Sequence, residues 1–287
     1  MTSNLPSADF QSWLGRSMTT EDEITAFPIN ALAAVLDREP AGAHVGITVP
    51  PLWHWLYFLP LHRPGDIRHD GHARGGDFMP PIPLPRRMWA GSKFIWNQDN
   101  PLRVGDKARR ISRIDAITPK TGKTGELVFV KVVHEYHNEE GLCFTNEHNS
   151  AFRGAAKPGE TSSTPVAADT IADWRRELTP DALLLFRYSA LAFNSHRIHY
   201  DYPYATQQEK YPTLLVQGPL IATLLMDLLH RNAPHARILS LDFKAVRPTF
   251  MGRPVQLRGQ SDGSAVRLWA SDDEGQLTMS ANVVLAA

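Results

Sequence analysis

The sequence predicts an α+β protein of two related halves, in which antiparallel strands cover a long apolar helix. Three features carry that expectation: a helix signalled at both ends, a glycine-turned hairpin in each half, and a polar stretch between the halves.

The helix is expected over residues 219–231. Gly218 stands at its N-cap and Pro219 at the first helical position, where a missing N–H costs nothing, and Asn232 can take the left-handed conformation that ends it. Leu220, Ile221, Leu224, Leu225, Leu228 and Leu229 make one broad apolar face, while Asp227 and Arg231 form an i,i+4 pair on the other. Such a face needs a sheet to cover it. Residues 239–245 begin to supply one, with Leu239, Leu241, Phe243 and Ala245 alternating with Ser240, Asp242 and Lys244.

In the first half, the β-branched run 127–133 leads through the turn Asn138-Glu139-Glu140-Gly141 into an extended stretch over 142–152. The second half repeats this with residues 264–270, the turn Asp272-Asp273-Glu274-Gly275, and a half-buried strand over 277–285. A glycine-led strand precedes each hairpin, at Gly105-Asp106 and at Gly252-Arg253. The longer interval in the first half is assigned to the turn-rich residues 118–125. The pattern reads as a weak internal repeat. Residues 154–169, rich in Gly, Ala, Pro, Ser and Thr, read as a linker. The expected boundaries are 1–153 for the N-terminal half, 154–177 for the linker and 178–287 for the C-terminal half.

Thirty Lys plus Arg balance thirty Asp plus Glu, so nothing favours nucleic acid. The basic pairs Arg86-Arg87, Arg109-Arg110 and Arg175-Arg176 read as solvated faces. A single cysteine, Cys143, excludes an intramolecular disulfide and any multi-cysteine metal framework, fits a reducing cytoplasmic setting, and reads as a buried strand residue. Residues 1–20 lack the apolar run of a targeting signal, and the greasiest stretch, 214–229, is too polar to span a bilayer.

The densest polar segment is Asn194-Ser195-His196-Arg197-Ile198-His199-Tyr200-Asp201, which lies between apolar stretches and reads as a loop lining a cleft. The His196 and His199 spacing can be a metal pair on a helix, but no third ligand is evident and Ile198 with Tyr200 favours irregular structure. Hydrogen-bonded surface and core groups are the other reading of these residues.

This segment, together with Leu214-Leu215-Val216-Gln217-Gly218-Pro219-Leu220, resembles the active-site segment and central-helix start of the MaoC-like enoyl-CoA hydratases. The resemblance is nearest to the type 2 hydroxyacyl-thioester dehydratase branch, which includes itaconyl-CoA and mesaconyl-C4-CoA hydratases. Pro50-Pro51-Leu52-Trp53-His54-Trp55-Leu56-Tyr57-Phe58, Asp70-Gly71-His72-Ala73-Arg74-Gly75-Gly76 and Pro83-Leu84-Pro85-Arg86-Arg87-Met88-Trp89-Ala90-Gly91 are similar to that branch too.

The resemblance implies a double hot dog, each half a sheet wrapped round a helix, with the N-terminal helix worn down. It implies a hydratase or dehydratase of acyl-CoA thioesters, with a branched C5 dicarboxylyl-CoA as the expected substrate. Coenzyme A would be part of that substrate, and no separate cofactor, metal, nucleic acid or membrane is expected; assembly into a homodimer stays open. His199 matches the family's catalytic histidine. Asn194 stands where the general hydratase pattern has an aspartate, and an amide cannot take a proton from water, so His199 would carry or share the acid and base work. The Gly218 N–H, at a helix start, would hold the thioester oxygen as it gains charge. Arg197, His196, Asp201, Gln217, Arg86 and Arg87 are the expected substrate contacts, with Arg197, Arg86, Arg87 and Arg74 as candidates for a substrate carboxylate. Trp53, Trp55, Tyr57 and Phe58 are expected in the core or an interface, or as the wall of an acyl tunnel. The rival readings are a 3-hydroxyacyl-thioester dehydratase of fatty acid synthesis, a thioesterase, which no carboxylate-centred motif supports, and a non-catalytic thioester-binding module.

Overall fold

The structure, a computed structural model, describes residues 10–39, 42–74, 78–122, 125–154 and 164–286. Gly75, Gly76, Lys123, Thr124 and residues 155–163 of the expected linker lie outside these. The first half supplies β1 (Ser17–Glu23), β2 (Arg86–Trp96), β3 (Lys107–Gly122), β4 (Gly125–Asn138) and β5 (Gly141–Arg153). The second supplies β6 (Trp174–Leu178), β7 (Ile238–Ala245), β8 (Val255–Asp262), β9 (Ala265–Ser271) and β10 (Leu277–Leu285).

All ten form one antiparallel sheet in the order β1-β3-β4-β5-β2-β7-β10-β9-β8-β6. Numbered within each half, the strands run first, third, fourth, fifth, second, and then the mirror of that order. The internal repeat is therefore a repeat of connectivity, joined second strand to second strand. The seam pairs Gly91 with Lys244 through to Ile95 with Ser240. A Cβ on Gly91 would lie 2.2 Å from the Phe243 carbonyl oxygen, so only glycine lets the two strands meet there.

The principal helix is α3 (Gly218–Asn232), preceded by α1 (Ala26–Val35) in the first half and α2 (Ala182–Leu191) in the second. Every residue of α3 from Leu220 to Leu229 is buried, not one face alone. Its far side is covered by the chain leaving α1, where Leu36 accepts a hydrogen bond from Arg231 Nη2 at 2.9 Å. Asp227 is thereby enclosed and pairs with three guanidinium groups, those of Arg38 (3.1 Å), Arg176 (2.5 Å) and Arg231 (2.7 Å). In chain order, a single 3-10 turn, Trp53–Leu56, stands in the first half where α3 stands in the second.

Four sequence expectations change. Gln217, not Gly218, is the N-cap of α3, and Asn232 stays helical with its amide on the Leu228 carbonyl, so the helix ends at Ala233. Residues 118–122 are strand, with Thr118 opposite Phe129, because a hairpin can extend as far as both arms find partners. Residues 174–178 of the expected linker form edge strand β6 against β8. Trp53, Tyr57 and Phe58 are buried and Trp55 is packed against the same core.

Candidate active site

Asp181 caps α2 by accepting from the Leu184 N–H at 2.8 Å, and Phe193, with φ 48°, turns the chain out of the helix. Asn194 then accepts the His196 N–H at 3.0 Å, an Asx turn that leads into the 3-10 turn Arg197–His199. This turn is fastened to the chain entering α3. The Leu215 N–H donates to the Ile198 carbonyl at 3.0 Å, and His199 Nδ1 lies 2.9 Å from the Leu215 carbonyl. A carbonyl can only accept, so Nδ1 carries the hydrogen and Nε2 is the basic nitrogen. Burial pushes the His199 pKa down to about 4, which keeps the ring neutral near pH 7.

Three residues separate Leu215 from Gly218, at most about 10 Å of chain. Gly218 opens α3, where backbone N–H groups have no intrahelical partner. Trp89 of β2 closes over it: a Cβ on Gly218 would stand 3.1 Å from Trp89 Cε3.

The other wall comes from the first half. Arg197 N–H donates to the Asp70 carbonyl at 2.9 Å and Ser195 Oγ to the Gly71 carbonyl at 2.6 Å. Gly71 has φ +90°, and a Cβ there would collide with the Ser195 carbonyl oxygen at 1.8 Å. This close approach brings the His72 ring centroid to 3.9 Å from that of His196, the two rings tilted by 42°, and His196 in turn lies 5.3 Å from His199. Asp70 accepts the His72 backbone N–H at 2.9 Å, and its Oδ2 is 3.0 Å from Arg68 and 3.5 Å from His72 Nδ1. Burial works to raise the Asp70 pKa, but the His72 backbone N–H and ring hydrogen bond and the Arg68 charge hold it below the usual carboxylate value. Burial lowers His196 and His72, so the site is a cluster of neutral imidazoles.

Arg87 stands beyond His72, close enough for its charge to bear on both His72 and His148. As a residue Arg87 is exposed, yet its guanidinium lies beside Ser150 Oγ and burial lowers its pKa. His148 is stacked on Trp89, with ring centroids 5.9 Å apart, which links Arg87 back to Gly218.

The remaining expected contacts are otherwise engaged. Arg197 holds Asp201 through Nε at 3.0 Å and Nη2 at 2.7 Å, donates to the His69 carbonyl, and lies over the Tyr204 ring. Asp201 also accepts the Tyr204 N–H. Gln217 is fully buried and spends its amide hydrogens on the Leu185 carbonyl and Ser189 Oγ, tying α2 to the start of α3. Arg86 donates to the Tyr211 hydroxyl at 3.3 Å, while exposed Arg74 donates its backbone N–H to the Asp66 carbonyl. His72, Asp70, Trp89 and His148 carried no role in the sequence reading. The motifs around residues 70–76 and 83–91 were the available signal, but no spacing relates residue 72 to residue 196. A cavity of about 330 Å³ lined by His54, Trp96, Phe144, His230 and Arg237 sits at the opposite end of α3, about 20 Å from Gly218 at the helical rise.

A ten-stranded antiparallel sheet with a buried helix beside a histidine-lined cleft defines a double hot dog protein. Residues 52–251 match the hydroxyacyl-thioester dehydratase type 2 family, and the chain belongs to it. It is 41% identical over 282 residues to the mesaconyl-C(4)-CoA hydratase of Chloroflexus aurantiacus, covering 98% of this chain and 99% of that one. Among solved structures, a MaoC-like dehydratase from Phytophthora capsici superposes with a TM-score of 0.70 at 14% identity, covering 98% of this chain and 99% of that one. A Mycobacterium tuberculosis protein described as a double hotdog fold gives 0.58 at 10% identity, over 95% and 96% of the two chains.

Proposed function

We propose that the protein is a hydro-lyase that adds water reversibly to a branched C5 dicarboxylyl-CoA, with mesaconyl-C4-CoA the leading substrate and itaconyl-CoA the second. The observation that carries the reading is His199, buried, neutral, and fixed by the Leu215 carbonyl in the tautomer whose Nε2 can accept a proton.

In the hydration direction with mesaconyl-C4-CoA, whose double bond is conjugated to the thioester, His199 Nε2 takes a proton from water while the water oxygen bonds to the β-carbon. The π electrons move to the thioester oxygen, where the Gly218 N–H stabilises the enolate. The enolate then collapses and the α-carbon takes the proton back from the imidazolium. One C–O and one C–H bond form, no net electron transfer occurs, and no redox group is called for. Asn194, its Oδ1 occupied by the His196 N–H, has its Nδ2 available to orient the water. A buried imidazole of low pKa is a weak base but is never lost to protonation near neutral pH, which suits a group that must both take and return one proton.

The test is loss of enoyl-thioester absorbance with mesaconyl-C4-CoA, crotonyl-CoA and a long-chain enoyl-CoA, and chromatographic detection of the hydrated ester formed from itaconyl-CoA, whose double bond is not conjugated to the thioester. His199→Ala is expected to lower kcat on the preferred ester by about 10²–10⁴-fold. Retained turnover in that variant, or preference for the long-chain ester in the wild type, would refute the reading. Binding of esters without turnover of any would point instead to a thioester-binding module.

A further inference from the structure

The inner face of the first-half sheet carries a polar belt where a core is expected. Below it, Val128, Val130 and Val132 of β4, with Ile114 of β3, form one apolar cluster. Above it, Phe94, Tyr136 and Phe144 belong to the main core. Between them, on the same side of the strands by their alternation, stand Arg87, Arg110, His134, Asn146, His148 and Ser150. In the second half the corresponding face is filled by α3. Here two short 3-10 turns, Trp53–Leu56 and Pro64–Asp66, stand in place of such a helix; Asn146 and Ser150 are buried, Arg110, His134 and His148 are half-buried, and Arg87 is exposed.

Polar groups on an inner face are costly unless paired, and this belt is underpaired. Arg110 Nε and Asn146 Oδ1 are buried with no hydrogen-bond partner. Arg87 makes two long hydrogen bonds, from Nε at 3.4 Å and Nη2 at 3.3 Å, both to Ser150 Oγ, lies 5.8 Å over the Phe152 ring, and forms no ion pair among the described residues. Three of its five N–H groups are unspent. Two guanidinium groups and a set of imidazoles thus stand together with no ion pair to an anion among the described residues.

We infer that Arg87, supported by Ser150 and His148, binds a substrate carboxylate carried on the carbon to which water adds. This rests on the hydratase reading and names the specificity element within it. Position argues for a substrate carboxylate rather than a phosphate of coenzyme A. The cluster from His199 through His196 and His72 leads to Arg87, and Trp89 connects its neighbour His148 to Gly218. An acyl group with its thioester oxygen at Gly218 and its β-carbon at His199 would turn a β-carboxylate toward this belt. Arg197, the candidate nearest in sequence to the histidines, is neutralised by Asp201. A planar fork with unspent N–H groups suits the two oxygens of a carboxylate.

The experiment compares kcat/KM for mesaconyl-C4-CoA with that for 3-methylcrotonyl-CoA, in which a methyl replaces the carboxylate, using crotonyl-CoA as a third ester. The wild type should favour the carboxylated ester, and Arg87→Met should lower that preference ratio roughly 100-fold, the range of a charge-assisted pair. Thermal melting checks that the variant is folded. If Arg87→Met does not fold, Arg87→Lys, which keeps the charge but loses the fork, is read in its place and should lower the ratio about tenfold. An unchanged ratio in whichever variant folds overturns the subsite. A wild type that hydrates the two uncharged esters as well as mesaconyl-C4-CoA overturns the subsite and leaves the hydratase reading standing. A wild type that hydrates none of the three overturns both.

Discussion

Replacing Gly218 by alanine separates the chemistry of the helix start from its stability. The glycine does not occupy the left-handed region, so alanine can adopt its backbone conformation, and inside a helix this exchange favours folding by about 0.4–1 kcal/mol. Against that gain, the new Cβ would stand 3.1 Å from Trp89 Cε3 and 3.4 Å from Cζ3, closer than carbon atoms pack comfortably. Trp89 cannot yield freely. Its Nε1 donates to Ser92 Oγ at 3.1 Å, its ring is stacked on His148, and it meets Phe243 edge-on at 4.8 Å. Either the ring or the first turn of α3 must move by a few tenths of an ångström. The two effects are of similar size, so the urea midpoint should correspond to a change within about 1 kcal/mol. Turnover should not be spared, because the amide proposed to hold the enolate sits on that turn. A misplaced donor should cost about 10–100-fold in kcat with KM little changed. Stopped-flow loss of enoyl-thioester absorbance measures the first quantity and urea titration the second. A folded Gly218→Ala variant with wild-type kcat would show that the Gly218 amide does not face the reacting oxygen.

Three further outcomes are expected. Asp227→Asn leaves three guanidinium groups around a neutral amide at the centre of α3 and should cost about 3–5 kcal/mol, lowering the melting temperature by roughly 10 °C; a shift below 2 °C would mean the network is dispensable. Gly71→Ala forces the chain at residue 71 away from Ser195, so it should abolish most activity while circular dichroism of the sheet is retained; near wild-type turnover would detach His72 from the site. Acid stability is set by the imidazoles. Burial lowers His54, His134 and His148 to about 3 and His199 to about 4, whereas the unfolded chain binds protons near 6.5. Between those values the unfolded state holds more protons, so stability falls as pH drops, by up to about 1.4 kcal/mol per unit for each group. The urea midpoint should therefore decrease between pH 7 and pH 5, above the range where carboxylates protonate, and an equal or higher midpoint at pH 5 would contradict the buried neutral rings.

Much of the fold is written locally. The helix over 219–231 was legible because its proline, its apolar rows and the residues bounding it all lie within about four turns, and the hairpins were legible because a glycine turn and two alternating arms are contiguous. What failed at the same sites failed for nonlocal reasons. Asp227 pairs with Arg231 as its spacing suggests, but Arg38 and Arg176, which make it a buried hub, arrive from 189 and 51 positions away. Residues 174–178 have linker-like flanks and become a strand only because β8 offers them an unpaired edge.

The site divides the same way. Sequence alone established that two imidazoles, an amide and a carboxylate lie within eight residues and that a glycine and a proline open the principal helix, because these are contiguous; the proposed roles of His199 and Asn194 came from the resemblance of that segment to the family. Tertiary structure alone decided which charges are available to a substrate. Arg197 is spent on a carboxylate four residues away, whereas Arg87 is brought beside Ser150, close enough for its charge to bear on His72 and His148, with no ion pair among the described residues. A charge is neutralised or left free by what stands within a few ångströms of it, and for a residue in a sheet those neighbours come from strands that only folding brings together.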